Sequence, residues 1–200
     1  MARYTGPKVR LSRRVGVAIS DVPKHTANDR VRVPPGMHGY RGRRLRDYGI
    51  RLVEKQKLRY YYGVQEKQFR LTLDEAARQP GNTGQVLLTL LERRLDNVLR
   101  RAGVARTIWQ ARQMVAHGGV RVNGQKTSAP SFRVRPGDVI TFKDKIHKLC
   151  KENMDSLAGH EVPGWVDFNP SELTAKVVAN PASDQVPFDV NTNLIVELYR

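Results

Sequence analysis

"QARQMVAHGGVRVNG", residues 110–124, is a helix-like run that stops at two glycines and passes into a short β-pattern ending in Asn-Gly. Just upstream, "TIWQ" at 107–110 has the spacing of a capping box. In that motif the Thr107 oxygen accepts from the amide three residues on, and Gln110 reaches back to the cap amide. The spacing predicts a helix closing at His117 and Gly118. "VRV" at 120–122 reads as a strand, and Asn123 with Gly124 supplies the positive φ angles of a two-residue hairpin turn. On this helix Ile108, Ala111 and Val115 form the core face, Gln110, Gln113 and His117 share the opposite face, and Arg112 lies at the edge of the core face.

The flanking sequence extends this unit. In "LERRLDNVLRRAG", residues 91–103, Leu91, Leu95, Val98, Leu99 and Ala102 fall on one arc about 100° wide. They continue a helical pattern that starts at Thr83 and ends at Gly103. "SFRVR" at 131–135 and "VITF" at 139–142 read as extended segments around the turn signal Pro136-Gly137-Asp138. Residues 91–142 therefore predict two helices packed on a small antiparallel sheet.

On the N-terminal side, residues 43–62 have helical spacing stopped by Gly63, and a second helix is expected over 65–78, ended by Pro80-Gly81. Residues 1–40 read as an irregular basic arm, rich in Pro, Gly and Arg, that orders on a partner. Residues 143–160 are weakly helical in pattern. Strand and loop follow, punctuated by Pro163, Pro170, Pro181 and Pro187, and the apolar "NLIVELY" at 193–199 is expected to tie back onto the body. The expected fold class is α+β. An N-terminal arm (1–42) precedes a helical domain (43–90 and 173–200) into which a small α+β module (91–172) is inserted.

Charge says what such a chain meets. Its 200 residues carry 35 Lys and Arg against 19 Asp and Glu, a formal net charge of +16. Residues 1–60 hold 16 basic and 4 acidic side chains, residues 61–148 hold 16 and 7, and residues 149–200 hold 3 and 8. The field is positive over the first three quarters and mildly acidic after, which points to a polyanion met by the former. An anionic membrane is the poorer partner, because these amphipathic helices turn their apolar faces to the core. No apolar run reaches the length of a membrane span. Cys150 is the only cysteine, so neither an intramolecular disulfide nor a Cys-based zinc site can form. The five histidines show no metal-binding spacing.

The candidate site is an RNA interface. A-form RNA is read by its shape, phosphates and 2′-hydroxyls, and guanidinium forks and amides suit that task. In the module the candidates are Arg106, Arg112, Gln113, His117, Arg121, Asn123, Lys126 and Arg133. On the first long helix they are Arg43, Arg44, Arg46, Arg51, Lys55, Lys57 and Arg59, with only Asp47 and Glu54 as local acids, too few for a salt-bridged surface. Arg3, Arg10, Arg13 and Arg14 add the arm. Of Tyr60, Tyr61 and Tyr62, at least one is expected in the core; Trp109 and Trp165 read as packing residues.

The run "LERRLDNVLRRAG…QARQMVAHGGVRVNG…PSFRVRPGDVI" resembles the RNA-binding module named after the fourth small-subunit ribosomal protein. "MARYTGP" at 1–7, "PPGMHG" at 34–39, "LVEKQKLRYYYGVQEKQFR" at 52–70 and "LIVELY" at 194–199 extend that likeness to the bacterial-type family of the ribosomal protein, nearly end to end. The resemblance implies a non-enzymatic binder of 16S ribosomal RNA. Such a protein holds a multi-helix junction in the 5′ domain, nucleates assembly of the small subunit, and works in the ribosome of a cytoplasm or organelle. It further implies neighbours in small-subunit proteins three and five, an influence on decoding accuracy, and in some bacteria repression of the protein's own messenger. No membrane, small-molecule substrate or cofactor enters this reading.

Many members of that family bind zinc through four N-terminal cysteines. Here Val9 and Ser12 stand at the first pair, and the region of the second holds Asp21, His25 and Thr26, so no zinc site is expected. Thr107-Ile108 stands where the family often has Ser-Arg, with Arg106 two residues ahead of the missing guanidinium. Two other classes carry the same module, RNA-modifying enzymes and free-standing RNA chaperones. Against the first, no nucleotide-binding glycine motif and no acid pair stands outside 91–142. Against the second, a chaperone leaves the helical body unexplained.

Overall fold

The computed structural model describes residues 4–20, 23–26, 33–41, 44–157, 159–182 and 186–199. The chain forms two compact units, residues 1–87 with 186–200, and residues 88–185. The chain thus leaves the first unit and returns to it.

In the first unit, α1 (Lys8–Val15) buries Leu11, Ser12 and Val15 and ends at Gly16, whose φ is 72°. It packs on α2 (Pro23–Thr26) and on α3 (Asp47–Tyr61). The arm is therefore neither wholly irregular nor separate from the helical body. Leu11 and Val15, one turn apart, give it an apolar stripe that its basic composition hides. Then come α4 (Glu66–Arg78) and α5 (Thr83–Glu92), and the chain closes with α9 (Thr192–Tyr199), which packs most extensively on α3. Leu58, Tyr61, Tyr62, Phe69, Leu87 and Ile195 form the core. Tyr61 meets Tyr62 edge-on at 5.1 Å and Phe188 at 4.6 Å. Gly84, at the start of α5, is required by close approach: a Cβ there would lie 2.5 Å from the Thr192 Cβ.

The helical pattern expected from Thr83 to Gly103 is broken. After α5 the chain turns extended at Arg94 (φ −67°, ψ 135°) and restarts as α6 (Leu95–Arg101). The cause is distant in sequence. The Leu95 amide donates to the Phe132 carbonyl at 2.8 Å, the Val134 amide donates to the Arg93 carbonyl at 2.9 Å, and Arg94 bridges Arg133. "SFRVR" is thus no regular strand; it pairs with the break between two helices.

In the second unit α7 (Ile108–Ala116) packs on α6. β1 (Val120–Val122), β2 (Gln125–Lys126), β3 (Val139–Phe142), β4 (Val166–Asn169) and β5 (Thr174–Val177) form an antiparallel sheet in the order β2-β1-β3-β5-β4, and α8 (Asp144–Ser156) follows β3. Asn123 and Gly124, with φ of 50° and 79°, make the hairpin turn. Val120, Val122, Ile140, Phe142, Val166, Ala175 and Val177 give the sheet one buried face, which joins Leu95, Val98, Leu99, Ala111 and Val115 in a single core. Because β5 belongs to this sheet, residues 174–177 lie in the inserted unit and not, as expected, in the helical domain. None of the helices among the described residues is long and apolar enough to cross a membrane.

Candidate nucleic-acid interface

In the second unit an open groove of about 920 Å³ runs beside the end of α7. Gln113 and His117, both exposed, come from α7, and exposed Arg121 from β1, where it pairs across to Thr141 of β3. Gly118 and Gly119 lie between them. Lys143, Asp144 and Lys145, at the start of α8, also line it, with Ile146 and Leu149. Lys143 and Lys145 were not among the sequence-predicted residues. The signal was the lysine spacing of 143–151 inside a pattern read only as weakly helical.

Several predicted residues have other work here. Arg112 donates through Nε to Asp96 Oδ2 at 2.8 Å, and Arg94 holds the same carboxylate through two bonds of 3.1 and 2.8 Å. Asp96 has no exposed surface, and the Arg112 side chain is only 14% exposed, so this guanidinium ties α7 to α6. The Thr107 oxygen accepts from the Gln110 amide at 3.2 Å, as the cap predicts. The Gln110 side chain, however, accepts from the Arg106 amide rather than the cap amide, and donates to Asn153 of α8. Arg106 donates to the Ser156 hydroxyl. Asn123 donates to Asp138 and accepts from the Val139 amide, bracing the hairpin turn. Exposed Lys126 packs its stem against Gly118. Arg133 is half-buried beside Arg94.

In the first unit, α3 is less available than its composition implies. Glu66 of α4 accepts from Lys55 at 2.7 Å, from Arg59 at 2.8 Å and from the Tyr199 hydroxyl at 2.5 Å. Burial opposes ionisation of Glu66, but the bonds from Lys55 and Tyr199 and the charges of Lys55 and Arg59 outweigh it. The carboxyl is held below its ordinary value of 4.5. Burial, then the bond to Glu66 and its charge, raise the Tyr199 phenol. Lys57 pairs with Glu54 at 2.5 Å and Arg51 with Glu197 at 3.3 Å. Lys55 is itself buried. These four cations therefore have acidic partners, two of them contributed by α4 and α9, which a search for i+4 acids on α3 alone misses.

Arg44 and Arg46 remain exposed and pair with no acid among the described residues, as do Arg10 and Arg14. Arg13 instead donates to the Val33 and Pro34 carbonyls at 3.0 and 3.3 Å. These arm residues line a second groove of about 940 Å³ with Met37, Tyr48 and Tyr60. Arg3 and Arg43 lie outside the described residues.

Ser12 Oγ and His25 Nδ1 share a buried hydrogen bond of 2.7 Å. The Ile19 amide also donates to that Ser12 oxygen, at 3.4 Å. No group of three or more His, Cys, Asp or Glu among the described residues is arranged to hold a metal ion. The one cysteine, Cys150, is buried in the other unit.

Residues 3–92 match the family model described as Ribosomal protein S4/S9 N-terminal domain, and residues 93–140 match the S4 domain. The chain is 48% identical to small ribosomal subunit protein uS4 of Persephonella marina over 205 residues, covering 100% of this chain and 99% of that one. The chain belongs to the uS4 family. The uS4 proteins of Aquifex aeolicus and Geobacillus kaustophilus are 46% and 44% identical to it over the same shares of each chain. In this uS4 chain the S4-domain match ends at residue 140, so Gln113, His117 and Arg121 stand inside it while Lys143 and Lys145 stand beyond it.

Proposed function

We propose that this uS4 chain is a structural, non-enzymatic constituent of the small ribosomal subunit that binds 16S ribosomal RNA in its 5′ domain and nucleates assembly there. The observation that carries this reading is that each unit has its own cations without an acidic partner among the described residues: exposed Arg10, Arg14, Arg44 and Arg46 on one, and exposed Arg121 and Lys145 with half-buried Lys143 on the other. Two units with separate basic surfaces suit a junction, where several RNA helices present phosphates at once. Guanidinium and ammonium donors suit backbone and 2′-hydroxyl recognition. The ribosomal name that its relatives carry supports the ribosomal setting. Neighbours in small-subunit proteins three and five, an effect on decoding accuracy, and repression of its own messenger follow from the same family reading. The arm is knit without zinc, by the Ser12–His25 bond and the Leu11 and Val15 contacts.

The test is stoichiometry and footprint. The protein should be present at one copy in salt-washed small subunits and should protect a 5′-domain junction in purified 16S RNA from hydroxyl radicals. Sub-stoichiometric presence would favour a free RNA chaperone, and release of modified RNA by the purified chain would favour an enzyme. Native mass spectrometry should give the mass of the metal-free chain.

A further inference from the structure

We propose that the start of α8 is a second RNA-gripping jaw, and that Lys143 and Lys145 bind the sugar-phosphate strand that Gln113, His117 and Arg121 hold in the same groove. The proposal rests on the ribosomal RNA-binding reading and extends it beyond the S4-domain match.

Four observations converge on it. First, the groove is lined by cations from two elements. Arg121 projects from the exposed face of β1, while Lys143 and Lys145 stand on the segment leaving β3. Second, the groove lining is fixed by a backbone hydrogen bond and by close packing. The Lys143 amide donates to the Gly119 carbonyl at 2.9 Å, and a Cβ on Gly119 would lie 2.8 Å from Ile146 Cδ1 and 3.1 Å from the Met114 carbonyl. The end of α7 is thus held against the start of α8. Third, Gly118 and Gly119 let the Lys126 stem and Ile146 pack where their Cβ atoms would lie, which draws these side chains in against the groove. Fourth, the chemistry is that of donors. Asp144 is the only acid lining the groove, and neither Arg121, Lys143 nor Lys145 makes an ion pair among the described residues.

The occupant is RNA backbone by charge complementarity and by exclusion of base readout. A lysine ammonium is a point charge that binds a phosphate oxygen from any direction, whereas base recognition in A-form RNA needs access that a narrow major groove denies. Lys148 and Lys151 lie on the same helix but do not line the groove, which makes them the internal control.

The experiment uses the full-length chain and a transcript of the 16S 5′ domain, with affinity measured by filter binding from 50 to 200 mM KCl. Each lost phosphate contact lowers the salt slope by about 1. Lys143→Gln with Lys145→Gln is therefore expected to cut the slope by about 2 and to reduce the loss of affinity across that salt range roughly tenfold. Lys148→Gln with Lys151→Gln is expected to leave the slope within 0.5 of wild type. All four side chains are solvent-facing or half-buried, and a melt followed by tryptophan fluorescence confirms that both variants fold. Equal slopes for wild type and the Lys143/Lys145 variant would overturn the jaw while leaving RNA binding intact. Equal losses in the two double variants would also overturn it, since the effect would then be general charge. Failure of the wild-type chain to bind the transcript at all would overturn the underlying reading.

Discussion

Asp96 has no exposed surface, yet it accepts from two guanidinium groups, Arg94 of the helix break and Arg112 of α7. Removing one member of a buried charged set leaves the others desolvated without compensation, which costs about 3–5 kcal/mol. Asp96→Ala is expected to destabilise the second unit by that amount. The measurement is direct, because both tryptophans, Trp109 and Trp165, sit in that unit and their fluorescence in urea follows it alone. A midpoint unchanged from wild type would mean that the set contributes nothing. Cys150 offers a second residue-scale check. It sits in the same core, and burial pushes its thiol up to about 11. The nucleophile is the thiolate, so the native protein at pH 8 is expected to resist Ellman's reagent and to react with one equivalent once unfolded. Fast labelling of the native chain would show that the core around α8 opens readily.

At the scale of elements, α9 is held to α3 and α4 through Glu66, which gathers Lys55, Arg59 and Tyr199, and through Arg51 with Glu197. The Glu66 carboxyl is lower in the fold than its ordinary 4.5. Its stabilising contribution is therefore complete above that value and is lost as pH falls through the folded value. Amide exchange over Thr192–Tyr199 is expected to accelerate between pH 5 and pH 3 beyond the intrinsic trend. Glu66→Gln should exchange fast already at pH 6 and show no such step; a step that survives in Glu66→Gln would assign it to another carboxylate. Local elements were legible in the sequence because their causes are local. The Thr107 cap, the Gly103 and Gly118 stops and the Asn123-Gly124 turn all follow from residues within one turn of the place they act. The break between α5 and α6 was not legible, since apolar spacing runs through it unbroken. Its cause is pairing with residues 132–134, including an Arg93 Nε bond to the Val134 carbonyl across 41 positions. The same distance hid the Glu66 and Glu197 partners of the α3 cations.

For the whole molecule, the formal charge of +16 overstates what RNA can meet, because a share of the cations is neutralised internally. Salt dependence separates the two populations. If the chain neutralises roughly 6–10 phosphates, affinity for the 5′-domain RNA falls about 10³–10⁵-fold between 50 and 200 mM salt. Exposed cations without acidic partners should carry that slope, each substitution lowering it by about 1. Arg10→Gln with Arg14→Gln, and Arg44→Gln with Arg46→Gln, are expected to behave so. Arg59→Gln and Arg112→Gln remove groups bonded to Glu66 and Asp96, and are expected to lower stability while leaving the slope of the folded protein unchanged. The comparison is made at a temperature well below every variant's melt, so that lost folding is not read as lost contact. Should Arg112→Gln lower the slope as much as an exposed arginine does, the Asp96 bond must open when RNA binds. Arg112 would then be a contact that the free protein keeps masked. Should Arg44→Gln with Arg46→Gln leave the slope untouched, the first unit would not meet phosphate through the start of α3, and the junction would have to be held by the arm and the inserted module alone.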